Sequence, residues 1–442
     1  MRVLISYHNF VRDYRGSLLL REALRALGHS VWLAPHWHGD TEIARIKDVD
    51  VIVGCQIAER STSYLGTFAR DEGIHLVLNS SEQFTAPQSR DAMISFDGDK
   101  LNEEVIAFQS IACAELYQHI ASHPRLAHKD KYRFLGLPRY DLSVDPDLRG
   151  VETAALVARY RLPAGGRRFL YLSSLLFDES FRDVPVEDMQ RFKYQDLVDR
   201  NKELAAHITP VLKDIVNRLL GPDDVLLIKK HPWDLSDYFE RQFDHPQVRM
   251  LRDVEYIVPC LDAADFVLHS FSTAAIEAWV MGKPTIAIIP HAHRKSLALS
   301  HMQHEVLAET FGEIADLVHN YPSPGPKDAV QQFLAGRCDG MATIRLAREI
   351  HGLSAKAVRR PFREGRRWFI EKTAKHFLSS LGYMGQQNLN SRMQQFIRWE
   401  RERLLIRLRY TPALRRYVER HRAVLHGAAM PVLSTSPLGG QL

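Results

Sequence analysis

The 442-residue sequence predicts an α/β protein of two parallel-sheet domains facing a cleft, with a basic helical extension at the C-terminal end. Three observations carry this reading. Short apolar runs alternate with helix-period segments twice along the chain, as they do when buried parallel strands are joined by crossover helices. The length is about three times the ~150 residues of one average domain. The charge is also uneven: residues 356–422 hold 18 Lys/Arg against 5 Asp/Glu, a surplus of 13 in a chain of net charge +5, so the remainder is at −8.

The first domain, residues 1–161, opens as strand, helix, strand. Arg2–Tyr7 is an apolar run. Leu18, Leu19, Leu20, Ala23, Leu24 and Leu27 then recur at helical spacing, Gly28 ends the helix, and residues 31–34 are apolar again. Residues 51–53, a helix ending near Gly73, and residues 74–78 continue the pattern as a Rossmann-like open sheet. No G-x-G-x-x-G follows the first strand, so a dinucleotide site is unsupported there. The second domain, residues 162–322, begins after Leu162-Pro163-Ala164-Gly165-Gly166 and repeats the alternation with apolar runs at 169–172, 225–228, 266–268 and 285–289. A Pro-rich break, Tyr321-Pro322-Ser323-Pro324-Gly325-Pro326, closes it. Residues 323–353 are expected to be a helical closing segment and 354–442 a basic helical tail.

Composition removes several function classes. With 45% apolar and 25% charged residues the chain is neither disordered nor fibrous. Four cysteines without C-x-x-C spacing support neither a disulfide framework nor a structural zinc. No cleavable leader and no stretch of roughly 20 apolar residues is evident, so a cytoplasmic, non-spanning protein is expected.

Two segments carry chemistry. Leu226-Leu227-Ile228-Lys229-Lys230-His231-Pro232 is a strand ending in an ammonium and an imidazole, where an open α/β sheet binds its ligands. His123-Pro124 and His245-Pro246 share the dipeptide, but only His231 follows a strong apolar run. The second segment, residues 266–278, reads as strand, hydroxyl-rich turn and helix; Ser270, Ser272 and Thr273 would put hydroxyls and amides where an anion could sit. One hydroxyl is explained as a helix cap, three are not. Glu277 lies one turn further, within reach of ribose hydroxyls if it is not simply a solvated helix residue. Two histidine clusters, His36-Trp37-His38-Gly39-Asp40 and His291-Ala292-His293, supply too few ligands for a closed metal site. No metal or cofactor is therefore expected, and His291 and His293 are read as cleft-lining or acceptor-contacting residues.

The pair Lys230-His231-Pro232 and Ser270-x-Ser272-Thr273-x3-Glu277-Ala278-x3-Gly282-Lys283-Pro284 resembles the C-terminal signature of GT-B glycosyltransferases of bacterial surface-carbohydrate (capsule and O-antigen) biosynthesis. It is similar to transferases that use CMP-sugars such as Kdo and, more distantly, to UDP-N-acetylglucosamine 2-epimerases. Leu135-Gly136-Leu137-Pro138-Arg139-Tyr140-Asp141 resembles the G-N-P-R-x-D stretch of the same proteins, with Leu137 in the place of Asn. The resemblance spans residues 2–317 and implies a metal-independent transfer from a nucleotide-sugar to a glycan or lipid-linked glycan. Lys230, His231, Pro232, Ser270, Ser272, Thr273 and Glu277 would hold the nucleotide, with Arg139 a possible acceptor contact. In such transferases an acidic residue of the first domain serves the acceptor hydroxyl. Glu82, which follows the 74–78 run, is preferred over Asp71 and Glu72, which precede it and read as a helix end before Gly73. The epimerase D-S-G-G run is replaced by His269-Ser270-Phe271-Ser272. A polyol-phosphate transferase and a non-catalytic scaffold remain as alternatives.

The tail sets Arg359, Arg360, Arg363, Arg366 and Arg367 beside Phe362, Trp368 and Phe369, and Arg401, Arg403 and Arg407 beside Trp399, Leu404, Leu405 and Ile406. Basic and apolar residues at helical spacing suit an anionic membrane surface; solvated helices packed on the body are the alternative. No nucleic-acid motif accompanies the charge, so nucleic acid is not expected as a partner.

Overall fold

The computed structural model describes residues 1–7, 10–35, 44, 47–54, 68–79, 83, 105–124, 126–181, 194–232, 234–252, 255–294, 302, 304–322, 330, 334, 337–353 and 389–428. They divide into two compact units: one contains the described residues of Met1–Gln83, Gln88–Leu148 and Phe333–Leu442, the other those of Arg149–Gln332. The expected boundary at 161/162 moves to 148/149. Helix 153–160 packs Leu156 into the second unit with Leu261 and Ala278, and Arg159 pairs with Glu255 at 2.5 Å. The expected helical closing segment, 323–353, and basic helical tail, 354–442, belong to the first unit in their described residues from Leu334 onward.

In the first unit β1 (Arg2–Tyr7), α1 (Phe10–Ala26), β2 (Ser30–Pro35), β3 (Val51–Gly54), β4 (His75–Leu78), β5 (Ile106–Ile111), α2 (Ala114–Ser122), β6 (Tyr132–Phe134) and α3 (Pro138–Val144) follow in order. The sheet runs β2-β1-β3-β4-β5-β6, and its strand pairs are parallel. Both faces of such strands are covered, which is why β1 and β3 are continuous apolar runs. Connections reverse direction at β1, making the carboxyl ends of β1 and β3 the topological switch point. α1 crosses α3 at Gly16, where a Cβ would lie 3.1 Å from the Arg139 amide nitrogen, so any side chain there would push the two helices apart by a few tenths of an ångström.

The second unit contains α4 (Thr153–Tyr160), β7 (Arg168–Leu172), α5 (Tyr194–Asp214), β8 (Val225–Lys229), α6 (Tyr238–Gln242), β9 (Val248–Leu251), α7 (Ile257–Ala263), β10 (Phe266–His269), α8 (Ala274–Val280), β11 (Thr285–Ile288), β12 (Leu307–Ala308) and α9 (Phe311–His319). Its parallel sheet runs β12-β11-β10-β7-β8-β9. Successive strand residues face opposite sides. Phe169 and Tyr171 accordingly join Leu204, Ile208 and Leu212 of α5 in one core, while Leu170 and Leu172 join Leu261 of α7 and Ala278 of α8 in the other. Burying one such side chain contributes about 1.5–3 kcal/mol. The chain leaves β9 and re-enters beside β7, so this switch point lies between the carboxyl ends of β7 and β10.

The chain then returns to the first unit as α10 (Ala342–His351), α11 (Leu389–Arg420) and α12 (Arg422–Leu425). From Ile406 onward α11 is part of this unit's core: Ile406, Tyr410, Ala413, Leu414, Tyr417 and Val418 are buried, at the spacing of one helix face. The Arg15 guanidinium lies 5.6 Å from the Tyr410 ring centroid. Arg420 pairs with Asp145 and Asp147. Asp141, wholly buried in α3, accepts from the Ala342 and Thr343 amides at 3.1 and 2.7 Å and from the Tyr417 hydroxyl at 3.0 Å. The acid of the Pro138-Arg139-x-Asp141 stretch thus caps one helix and anchors another. Burial pushes its carboxyl up to about 6 despite these donors and nearby Arg345. The outward side of α11 keeps Leu404 and Leu408 exposed, at 59% and 63%, beside exposed Arg407, Arg415 and Arg416. The basic stretch expected over 359–369 lies outside the described residues, as do the side chains of 389–401.

Candidate functional site

The anion-binding residues expected in the second domain follow the carboxyl ends of β8 and β10, the two strands that flank β7. Lys229 closes β8, and its carbonyl accepts from the Ser173 amide at the end of β7. Lys230 does not extend from the edge unaccompanied: its ammonium donates to the Ser236 carbonyl at 2.5 Å and pairs with Glu240 at 2.8 Å, tying the 230–240 loop together. His231 and Pro232 are half-buried in that loop. The His231 carbonyl accepts from the Asp234 amide, and Asp234, itself buried, accepts from the Ser236 amide and hydroxyl at 3.0 and 2.7 Å. Burial raises the Asp234 carboxyl above its ordinary range.

On the far side of β7, β10 ends at His269 and the chain turns into α8. The three hydroxyls expected to act together divide. Ser270 is buried, its hydroxyl 3.2 Å from that of Tyr171 and its carbonyl accepting from the Ser174 hydroxyl, so its side chain belongs to the floor of the turn. Ser272 and Thr273 are half-buried on the outer side, and the Ser272 hydroxyl accepts from the Ala274 amide at 3.3 Å. Between them Phe271 has a φ of 58°, a left-handed backbone that costs a bulky residue about 1–2 kcal/mol; such strain concentrates at working sites. Glu277 is 4% exposed, which replaces the solvated-helix reading with a carboxylate inside the fold. Ser173 and Ser174, at the carboxyl end of β7, join the site although no sequence signal marked them; two adjacent serines after an apolar run were the available hint. His291 is exposed and His293 half-buried, in a short helical turn, His291–Arg294, that follows β11.

The first unit holds a small pocket at its own switch point, lined by Ser6 of β1, Gly54 of β3, Asn79 after β4, Asp13 of α1 and Arg139 of α3. Arg139 is buried and donates to the Tyr140 hydroxyl at 3.1 Å. Asn79 Oδ1 and the Ser6 hydroxyl are buried without a hydrogen-bond partner among the described residues. Glu82 lies outside the described residues. Its neighbour Gln83 is buried, donating to the Ser110 carbonyl at 2.8 Å and accepting from the Ala112 amide at 2.6 Å, next to the carboxyl end of β5. Asp71 and Glu72 end the helix 68–72 at the amino edge of β4, where Gly73, at φ 67°, closes it. The exposed Asp71 pairs with Arg70 at 3.1 Å. That edge is opposite the one where a parallel sheet binds ligands.

Among the described residues no three His, Cys, Asp or Glu side chains gather where a metal could sit, and no helix is long and apolar enough to cross a membrane. The cluster at 36–40 lies outside those residues.

No protein-family model and no curated protein matches the sequence. Solved structures do. A variant of the wall teichoic acid polymerase TagF matches with a TM-score of 0.54 at 11% identity, over 79% of this chain and 88% of that one. A TagF variant soaked with CDPG gives 0.52 at 9% identity, over 79% and 87%. The UDP-GlcNAc 2-epimerase of Neisseria meningitidis, bound to UDP-GlcNAc, gives 0.51 at 10% identity, over 79% and 99%. Likeness at such identities establishes the fold, the two-domain Rossmann-like GT-B architecture with a helical C-terminal region.

Proposed function

We propose that this chain is a metal-independent GT-B transferase that moves a sugar from a nucleotide-activated donor, CMP-linked and Kdo-like in its most specific form, to a bacterial surface polysaccharide or lipid-linked glycan. The observation that carries the reading is the convergence of the 230–232 loop and the 270–273 turn on the two sides of β7, where the second sheet switches direction. The nucleotide would sit there, with His231 meeting the charge that develops on the leaving phosphate as the anomeric C–O bond breaks. Lys230 adds positive potential but is shared with Glu240, so its role is to shape the loop that presents His231. Ser272 and Thr273 donate to phosphate and Glu277 accepts from ribose. The acceptor would use the first-unit pocket through Arg139, with Glu82 taking the proton of the attacking hydroxyl; His291 and His293 would contact the glycan. The enzyme would work on the inner face of the cell membrane, held to anionic lipid by Leu404, Leu408 and the arginines around them.

A polyol-phosphate transferase would use the same anion contacts with a different donor, so one experiment separates the readings. Calorimetry with CMP-, CDP-, UDP- and GDP-linked donors should give binding to one class, CMP first. Binding of a CDP-linked polyol alone would convert the proposal to polyol-phosphate transfer, UDP-GlcNAc alone would favour the epimerase, and no binding at all would leave a non-catalytic scaffold. His231→Ala should lower turnover at least about tenfold, equivalent to about 1.4 kcal/mol; unchanged turnover in the folded variant removes His231 from the site.

A further inference from the structure

A polar chain runs beneath the 270–273 turn, through groups that donor binding does not use. The Trp279 indole donates to the Thr285 hydroxyl at 2.7 Å, and that hydroxyl donates to Glu305 Oε2 at 2.8 Å. Glu305 Oε1 lies 3.0 Å from His269 Nε2, and both side chains are wholly buried; the two atoms face each other without the alignment of a hydrogen bond, and neither has a hydrogen-bond partner among the described residues. The other ring nitrogen, His269 Nδ1, accepts from the Ser272 amide at 3.3 Å. A nitrogen that accepts an amide proton carries none of its own, so the ring proton is on Nε2, towards the carboxylate. A buried carboxylate in turn needs a facing proton donor, and Thr285 satisfies only one of its oxygens. The two requirements agree on one tautomer.

We infer that Glu305 is a positioning residue that acts through His269: it selects the Nε2–H tautomer, which leaves Nδ1 to hold the Ser272 amide and with it the left-handed backbone at Phe271. On the proposed function, this sets the shape of the turn that receives the donor phosphate. A local reading of the turn cannot find this residue, because Glu305 enters from the segment before β12.

The test uses the full chain, labelled with nitrogen-15 on histidine. In the wild type His269 Nδ1 should be unprotonated at neutral pH. In Glu305→Leu both tautomers should appear, Ser272 amide exchange should accelerate at least about tenfold, and the dissociation constant for CMP, CDP or UDP should rise by a similar factor. Glu305→Gln, whose amide oxygen still faces Nε2–H, should retain the wild-type tautomer and affinity. His269→Asn combined with Glu305→Leu should weaken binding no more than either alone, as expected of residues acting in series. A proton on Nδ1 in the wild type overturns the inference, and so do unchanged exchange and affinity in Glu305→Leu. If Glu305→Leu does not fold, the wild-type ring spectrum and Glu305→Gln decide. If the wild type binds none of the nucleotides, the proposed function fails, and the ring spectrum with Ser272 exchange decides the role of Glu305 alone.

Discussion

Replacing Asp141 by alanine tests how the C-terminal helices are held to the first unit. Two buried amides, Ala342 and Thr343, lose their acceptor, and each orphaned donor costs about 1–3 kcal/mol. The Tyr417 hydroxyl loses less, because it also donates to the Gly340 carbonyl at 2.5 Å. Against this, the wild type must ionise a wholly buried carboxyl at pH 7, and raising it from 3.8 to about 6 costs about 3 kcal/mol of stability. Two such donors cost about 2–6 kcal/mol, so the net loss at pH 7 is only about 1 kcal/mol, the middle of that range less the relief. The sign with pH is distinctive. A carboxyl raised in the folded state takes up its proton there first, so wild-type stability rises as pH falls from about 6 towards 3.8. The alanine variant lacks that gain, so the cost of Asp141→Ala should grow on acidification. Hydrogen exchange of residues 342–351 and 406–425 reads this locally, without assuming that the two-unit chain unfolds in one step. Wild-type protection in the variant, or a cost that shrinks as pH falls, would refute the capping argument.

His29 supplies the opposite slope. Burial, the N-terminal ammonium and His351 lower its imidazole to about 4, so its contribution to stability is lost as pH falls from about 6.5 through 4. His29→Gln should make the protein relatively more acid-tolerant, measured as the melting temperature against pH; an unchanged profile would exclude His29. Leu404→Glu combined with Leu408→Glu should abolish sedimentation with anionic vesicles and leave melting unchanged, since both side chains are exposed. Undiminished sedimentation sinks the membrane reading. Truncating the tail is a poor substitute, because removing Tyr410, Leu414 and Tyr417 strips the first unit of core. Glu82→Gln should abolish turnover while nucleotide affinity stays within about twofold, and Asp71→Asn should stay active. The reverse pattern would transfer the acceptor role to the 71–72 stretch.

Much of the fold was legible because parallel strands covered on both faces must be apolar throughout. The runs at 2–7, 225–228 and 285–289 therefore declared β1, β8 and β11 without any neighbour being known. The 230–232 and 270–273 segments were legible for a similar reason: each is contiguous, and a strand followed by a polar turn points to the ligand edge of a sheet. Charge counting over 356–422 was less informative, since it is blind to direction. Ile406, Tyr410, Leu414 and Tyr417 face the core while Leu404 and Leu408 face outward on the same helix. Strands β5, β6, β9 and β12 were not anticipated, and β6 and β12 are too short for their composition to announce them. The tertiary structure alone decided what lies across from what. It placed β10 beside β7, making their ends a switch point, brought Ser174 to Ser270, set Glu305 against His269, and joined Asp141 to Tyr417 across 276 residues of chain. Hydrophobic periodicity specifies which face of an element is buried, whereas hydrogen-bond partners are chosen by the order in which those faces stack, a property of the packed whole.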